Sequence, residues 1–200
     1  MDLMAIIFFI NYRKNSTKNS DNKKYVKLNL GCGNAKLDDW VNIDINPRAD
    51  MVVDFRNGLP FKNCSFQCIY SEHVLEHFTY ERGQTLLKEC YRILSDDGIM
   101  RIAMPDLDYI IKKYLSDWKN QEWLSWSEYS FIKTRGMMLN TYFSWWDHKY
   151  LYNEEDLKKQ LMNAEFKNVY RCEWSKSECH FLCNLETRGD SKLIVETRKN

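Results

Sequence analysis

The apolar run Val26–Leu30 ends in Gly31-Cys32-Gly33. Gly-x-Gly at the end of a strand makes a tight turn whose backbone can approach a ligand without interference from Cβ, at the carboxyl edge where open α/β sheets bind ligands. A dinucleotide fingerprint would need a third glycine three residues after Gly33, where Lys36 stands. It would also place its acid roughly 20 residues on, whereas Asp44 comes much sooner. No Gly-Lys-Ser or Gly-Lys-Thr follows the turn, which excludes the phosphate loop of nucleotide triphosphatases. What remains is a nucleoside without a pyrophosphate. Asp44, ending the second apolar run, can accept hydrogen bonds from both ribose hydroxyls. Asp54, ending the third, is placed to meet an exocyclic adenine amine. Both acids also suit ordinary strand-end capping; with Gly31 and Gly33 they form one ligand-shaped set.

A sheet must hold these residues in place. From Tyr25 onward, short apolar runs alternate with helix-period segments, the pattern of strands and crossover helices, so the expected class is α/β. Strands are expected over Val26–Leu30, Val41–Asp44, Met51–Asp54, Phe66–Tyr70, Gly98–Met104, Asn168–Glu173 and Lys192–Thr197. Leu86, Leu87, Cys90, Tyr91 and Leu94 predict a helix over 80–94, stopped by a turn at Ser95-Asp96-Asp97-Gly98. Another helix starts after a cap at Asn153, with Leu157, Leu161 and Ala164 as its apolar stripe. Between fifth strand and second helix, residues 106–152 carry a heavy aromatic load from Tyr109 to Trp146. This insertion reads as a helical layer over the carboxyl edge of the sheet, its rings serving as core and, for some, as substrate contacts.

Two hundred residues suit one domain, over 25–200, behind an extension over 1–24. Lys and Arg number 29 against 28 Asp and Glu, and a net charge of +1 argues against a nucleic-acid partner. The seven cysteines are odd in number and lack paired C-x-x-C spacing, which reads as reduced thiols in a cytoplasmic protein. Cys179-His180 with Cys183 is a single cluster, so no metal is expected. In the extension, residues 4–10 are apolar but far short of the roughly 20 that span a bilayer. Basic residues follow this run instead of preceding it, unlike a signal peptide. It is expected to pack on the domain or make a peripheral membrane contact, with 11–24 as a linker.

A longer series of motifs carries a family resemblance. Leu28-Asn29-Leu30-Gly31-Cys32-Gly33, Trp40-Val41-Asn42-Ile43-Asp44, Asp54, Leu59-Pro60-Phe61, Ser65-Phe66, His73-Val74-Leu75-Glu76-His77 and Met104-Pro105-Asp106-Leu107 resemble, in order and spacing, the class I methyltransferases of the type 11 group. The resemblance implies a Rossmann-like, doubly wound, seven-stranded sheet with the last strand antiparallel. It implies S-adenosylmethionine across the tips of the first, second and fourth strands. Gly31, Cys32 and Gly33 would then pass its methionine moiety, Asp44 its ribose, and Asp54 with Phe55 its adenine, with Leu30 and Ile45 as flanking contacts. Ser71 and Glu72 would lie near the sulfonium. Three departures stand out: Asn29 in place of an acid, Asp96-Asp97-Gly98 in place of Pro-Gly-Gly, and Glu165 in place of a glycine before Phe166. The segment between Gly33 and Val41 is too short for the usual crossover helix, and a loop or single turn is expected there.

Methyl transfer is an in-line displacement, so the protein mainly aligns acceptor and methyl group. A hydroxyl acceptor must also lose a proton, and histidine is the natural base. Of His73, His77, His148 and His180, the candidates are His73, just past the fourth strand, and His148, just past the aromatic insertion. Glu76 and His77 are read as structural. The expected acceptor is a sugar or other small-molecule hydroxyl, by analogy with relatives of surface-polysaccharide assembly. The alternatives are an inactive cofactor-binding partner subunit and, less favoured, a nucleic-acid methyltransferase.

Overall fold

The computed structural model describes residues 26–200; the apolar run 4–10 and the linker 11–24 lie outside the described residues. Seven strands form one sheet: β1 (Lys27–Leu30), β2 (Val41–Asp44), β3 (Met51–Val52), β4 (Phe66–Glu72), β5 (Leu94–Met104), β6 (Lys167–Arg171) and β7 (Leu193–Arg198). Their order is β3-β2-β1-β4-β5-β7-β6, with β7 antiparallel to both its neighbours and the rest of the sheet parallel. Leu30 pairs with Ile43 on one side and Ser71 on the other, so the tips of β1, β2 and β4 end side by side.

The helices are α1 (Tyr80–Ile93), α2 (Leu107–Leu115), α3 (Arg135–Ser144) and α4 (Glu154–Asn163). In α1 the residues Leu86, Leu87, Cys90 and Ile93 recur at helical spacing and are buried against the sheet. α4 starts where Asn153 accepts the amide of Asp156 at 3.0 Å, and its Leu157 and Leu161 are wholly buried. Each such leucine gains about 1.5–3 kcal/mol from burial. These helices cover one face of the sheet. On the opposite face, Trp40, Cys68, Tyr70, Ile99, Ala103, Leu182 and Ile194 form a smaller core. There Arg101, wholly buried, pairs with Glu186 and Glu196 at 2.5 Å each and donates to the carbonyls of Glu173 and Lys176. Removing one member of such a group strands a buried charge and costs about 3–5 kcal/mol.

Two local expectations are corrected. Residues 95–98, expected as a turn, run within β5, and the irregularity falls in the pairing instead: the step from Phe66 to Cys68 is opposed by the step from Leu94 to Ile99. The third strand is shorter than 51–54, although Val53 still donates to Asp44 at 2.9 Å. The loop between β1 and β2 has no helix, as its length requires; Asn29 holds it by donating to Ala35 and Asn42, both at 2.9 Å. Glu165 takes φ +74°, a left-handed conformation that favours glycine, at the position where the resemblance expects one.

The insertion folds as α2, α3 and short 3₁₀ turns around its own core of Ile110, Trp123, Tyr129, Ile132, Met138, Tyr142 and Leu151. No helix among the described residues is long and apolar enough to cross a membrane.

Candidate functional site

Gly31 has φ +76° and lies so close to Val74 that an added Cβ would sit 2.1 Å from its Cγ2. Gly33, at φ +52°, has nothing within 4 Å of that position and faces open space. The turn is therefore bare backbone, closed on the protein side and open on the other, as a closely approaching ligand requires. Gly31 and Cys32 both donate to the Ile43 carbonyl, at 2.9 and 3.1 Å, which ties the turn to β2. Cys32 is buried; burial first, then the carboxylates of Asp44 and Asp50, push its thiol up to about 11, so it stays protonated and unreactive.

Asp44 is half-buried at the tip of β2. Its Oδ2 accepts the Gly33 amide and its Oδ1 the Asn46 amide, both at 2.8 Å. A carboxylate has about four lone-pair sites, so each oxygen keeps capacity for one ribose hydroxyl. Ile45 beside it leaves 61% of its surface exposed, an apolar platform for a flat ring. Asp54 is engaged differently: its carboxylate caps the turn at Phe55–Asn57 and is gripped by Arg56, whose Nη2 lies 2.7 Å from Oδ2. Hydrogen bonds from Arg56 hold the Asp54 carboxyl below its usual range. Phe55 is half-buried against the main core, and Leu30 and Ser71 are buried in the strands.

Glu72 ends β4 with its carboxylate turned to the loop before β7. It accepts the amides of Thr187 and Arg188 and the hydroxyls of Thr187 and Ser191, at 2.7–3.1 Å. His73 follows with φ +53°, and its ring is sealed, with only 4% of the side chain exposed. Its Nδ1 lies 3.2 Å from Glu76 Oε1 and its Nε2 3.0 Å from Ser191 Oγ. Because Ser191 gives its one hydrogen to Glu72, the serine oxygen accepts from His73 Nε2. Nε2 is thus taken up by Ser191 while Nδ1 faces the Glu76 carboxylate, so neither ring nitrogen is free for an acceptor.

His148 is arranged otherwise. Its Nδ1 is 2.8 Å from the Tyr142 carbonyl, which can only accept, so the proton sits on Nδ1 and Nε2 keeps its lone pair. Burial lowers the pKa of the ring below 6.5, against the pull of Glu76. Glu76 is fully buried; burial alone would raise its carboxyl, but the contact with His73 and the charges of His73 and His77 bring it below 4.5. The backbone brings these residues together: Lys149 and Tyr150 donate to the Glu76 carbonyl at 2.8 and 3.2 Å, pinning the segment after the insertion to the turn after β4.

His73, His77 and His148 line a cavity of about 750 Å³ whose other walls include Trp123, Tyr142 and the loop 187–190. That is the size of a small-molecule site. Through Glu72, the loop that walls the cavity is also tied to the tip of β4. The sequence reading missed Tyr142, the 187–191 loop and the partnership of Glu76 with the histidines. His73-Val74-Leu75-Glu76-His77 held the only usable signal.

Residues 28–102 match the family model for a methyltransferase domain, of type 11. No curated protein matches the chain. Among solved structures, it is similar to an S-adenosylmethionine-dependent methyltransferase from Archaeoglobus fulgidus, at 16% identity and TM-score 0.54, over 96% of this chain and 93% of that one. It is also similar to one from Thermotoga maritima, at 14% identity and TM-score 0.53, over 96% and 89% of the two chains. At that identity the structural likeness establishes the fold. Residues 28–102 thus match a methyltransferase domain model, in a chain with the fold of class I methyltransferases.

Proposed function

We propose that this protein is an O-methyltransferase whose acceptor, a sugar or other small molecule, sits in the 750 Å³ cavity beside the tip of β4. The observation that carries the reading is His148: neutral by burial, fixed in one tautomer by Tyr142, and lining the cavity with its remaining lone pair. Bound S-adenosylmethionine supplies the methyl group, whose carbon–sulfur bond breaks with the electron pair left on sulfur. The Gly31–Gly33 turn receives the cofactor because it is bare backbone, Asp44 has acceptor capacity for the ribose, and Ile45 offers it an apolar surface. Asp54 reaches adenine by sharing its carboxylate with Arg56.

Trp123, Trp126 and Trp146 wall the cavity with flat apolar surface, which suits a sugar face or a planar ring. The Tyr142 hydroxyl, buried without a hydrogen-bond partner, is available to orient an acceptor oxygen. The His148 site removes the acceptor's proton as the oxygen–carbon bond forms. His73 acts through Glu76, positioning it, and does not touch the acceptor. A partner subunit without activity would need none of this apparatus.

The test is a screen of nucleotide sugars, glycans and small hydroxylated metabolites with an isotopically labelled methyl donor. Label should pass to a hydroxyl oxygen of one class. A chain that binds S-adenosylmethionine by calorimetry but labels no acceptor would favour the inactive module; one that labels nucleic acid would move the acceptor elsewhere.

A further inference from the structure

We propose that Glu76, His77 and His148 form a binding site for one divalent transition-metal ion at the wall of the acceptor cavity. This rests on the proposed function only in assigning the cavity to the acceptor. One donor atom of each residue lies within 4.8 Å of the others. The donors come from two distant segments, and the backbone bonds of Lys149 and Tyr150 to Glu76 hold those segments in register.

Glu76 supplies the second, independent reason. Its side chain is 1% exposed, and neither carboxylate oxygen accepts a hydrogen bond. A buried carboxylate left this way is expensive unless a cation meets it. His73 Nδ1 meets Oε1 at 3.2 Å as an ion-pair contact without hydrogen-bond geometry, and Oε2 has no hydrogen-bond partner at all.

The surroundings follow the outer-sphere pattern of metal sites, in which a ligating histidine gives its other nitrogen to a carbonyl and a ligating carboxylate is itself oriented. Tyr142 serves His148 in that way, leaving Nε2 as the donor, and His73 orients Glu76. Two imidazoles and one carboxylate suit zinc, cobalt or another first-row divalent ion better than magnesium or calcium. Ligands about 2.0–2.2 Å from a tetrahedral ion stand roughly 3.4 Å apart. The three donors therefore need to close by about 1.4 Å at most, a small side-chain rotation for the half-exposed His77 and His148. Three protein ligands leave a fourth position, and because His77 and His148 line the cavity that position opens toward the acceptor. With the ion bound, His148 Nε2 would be a ligand and no longer the base: an acceptor hydroxyl at the fourth position would be oriented and acidified by the ion and would give its proton to solvent.

The experiment uses the full chain, free of any tag, stripped with a chelator and titrated with Co²⁺ and Zn²⁺ alone. The expected result is one equivalent of Co²⁺ with the visible absorption of a nitrogen- and oxygen-ligated ion, and a rise in thermal midpoint. His77→Ala, His148→Ala and Glu76→Gln should each weaken binding tenfold or more, and Cys179→Ser with His180→Ala should leave it unchanged. His77→Ala alters a half-exposed side chain, so it remains informative if the buried Glu76→Gln variant fails to fold. A wild-type chain that binds S-adenosylmethionine by calorimetry but takes up no Co²⁺ overturns the site and leaves the methyltransferase reading standing. Binding that survives both histidine substitutions, or that follows the Cys179–His180 pair, also overturns it. Since metal uptake is the readout, an acceptor screen that fails bears on the proposed function alone.

Discussion

The edge proposed for the cofactor and the cavity proposed for the acceptor are built on opposite terms. At the edge, the polar groups are satisfied by close neighbours: Asp44 by the amides of Gly33 and Asn46, Asp54 by Arg56, Asn29 by Ala35 and Asn42. In and behind the cavity wall, the Glu76 carboxylate and the Tyr142 hydroxyl are buried without hydrogen-bond partners. Buried polar groups are normally paired, and exceptions ask for an explanation. One region is finished before any ligand arrives, with spare lone pairs at its rim; the other keeps binding capacity inside. A fixed edge suits an unchanging cofactor, and an unsatisfied cavity suits a guest that completes it.

The sharpest way to break this comparison is to empty one region and watch the other. His148→Ala should lower turnover by about 10²–10⁴, with the calorimetric affinity for S-adenosylmethionine unchanged. A matching loss of cofactor affinity would show that the regions are one site. Gly31→Ala attacks the edge instead. Its methyl would meet Val74 at φ +76°, adding left-handed strain of about 1–2 kcal/mol to overpacking of about 1–3 kcal/mol. The expected result is about 2–5 kcal/mol lost from urea unfolding, with cofactor binding abolished.

Asp44→Ala is milder because the strand remains. It removes charge-assisted bonds together worth about 1.5–3 kcal/mol, or roughly 10- to 150-fold in Kd for the cofactor. The rate at saturating cofactor should change little, which separates binding at the edge from chemistry in the cavity. A change confined to the rate would place the carboxylate among the reacting groups.

The same division decided what the sequence could disclose. The edge was readable because its residues follow one another at strand ends: the glycine turn, Asp44 and Asp54 occupy 24 consecutive positions, 31–54. The seven strands and α4 were readable because burial leaves a periodic apolar trace, as in Leu157 and Leu161. The path of residues 95–98 was not, since Asp96, Asp97 and Gly98 carry ordinary turn chemistry and only pairing with β4 keeps them in the strand. The Arg56 grip on Asp54 and the Glu72 bonds to the 187–191 loop depend on side-chain direction, which type and spacing leave open. Glu76 and His148 lie 72 positions apart, and the sequence offered only the Cys179–His180 cluster as a metal candidate. The fold that unites them is carried by two amide bonds, from Lys149 and Tyr150, with no signature of their own.

The smallest expected effect is on stability against pH, and it tests whether the cavity carries the burden assigned to it. His148 has its pKa depressed below the ordinary 6.5, chiefly by burial and also by His77 and His73, while Glu76 and the Tyr142 carbonyl pull it up. The unfolded chain therefore takes up this proton first as pH falls. The neutral ring costs no stability above 6.5, and stability is lost as pH drops from 6.5 through the folded value, by about 1.4 kcal/mol for each pH unit between the two. Glu76, held below 4.5 by its contact with His73 against the cost of burial, gives a second loss of the same sign beginning near 4.5. In urea titrations between pH 8 and 4, His148→Gln should remove the first loss and keep the second. The difference between wild type and variant isolates His148 from the other histidines, which are present in both chains. If the two curves stay parallel down to pH 5, the His148 ring is not held neutral by the fold, and the contrast between a finished edge and an unfinished cavity loses its electrostatic half.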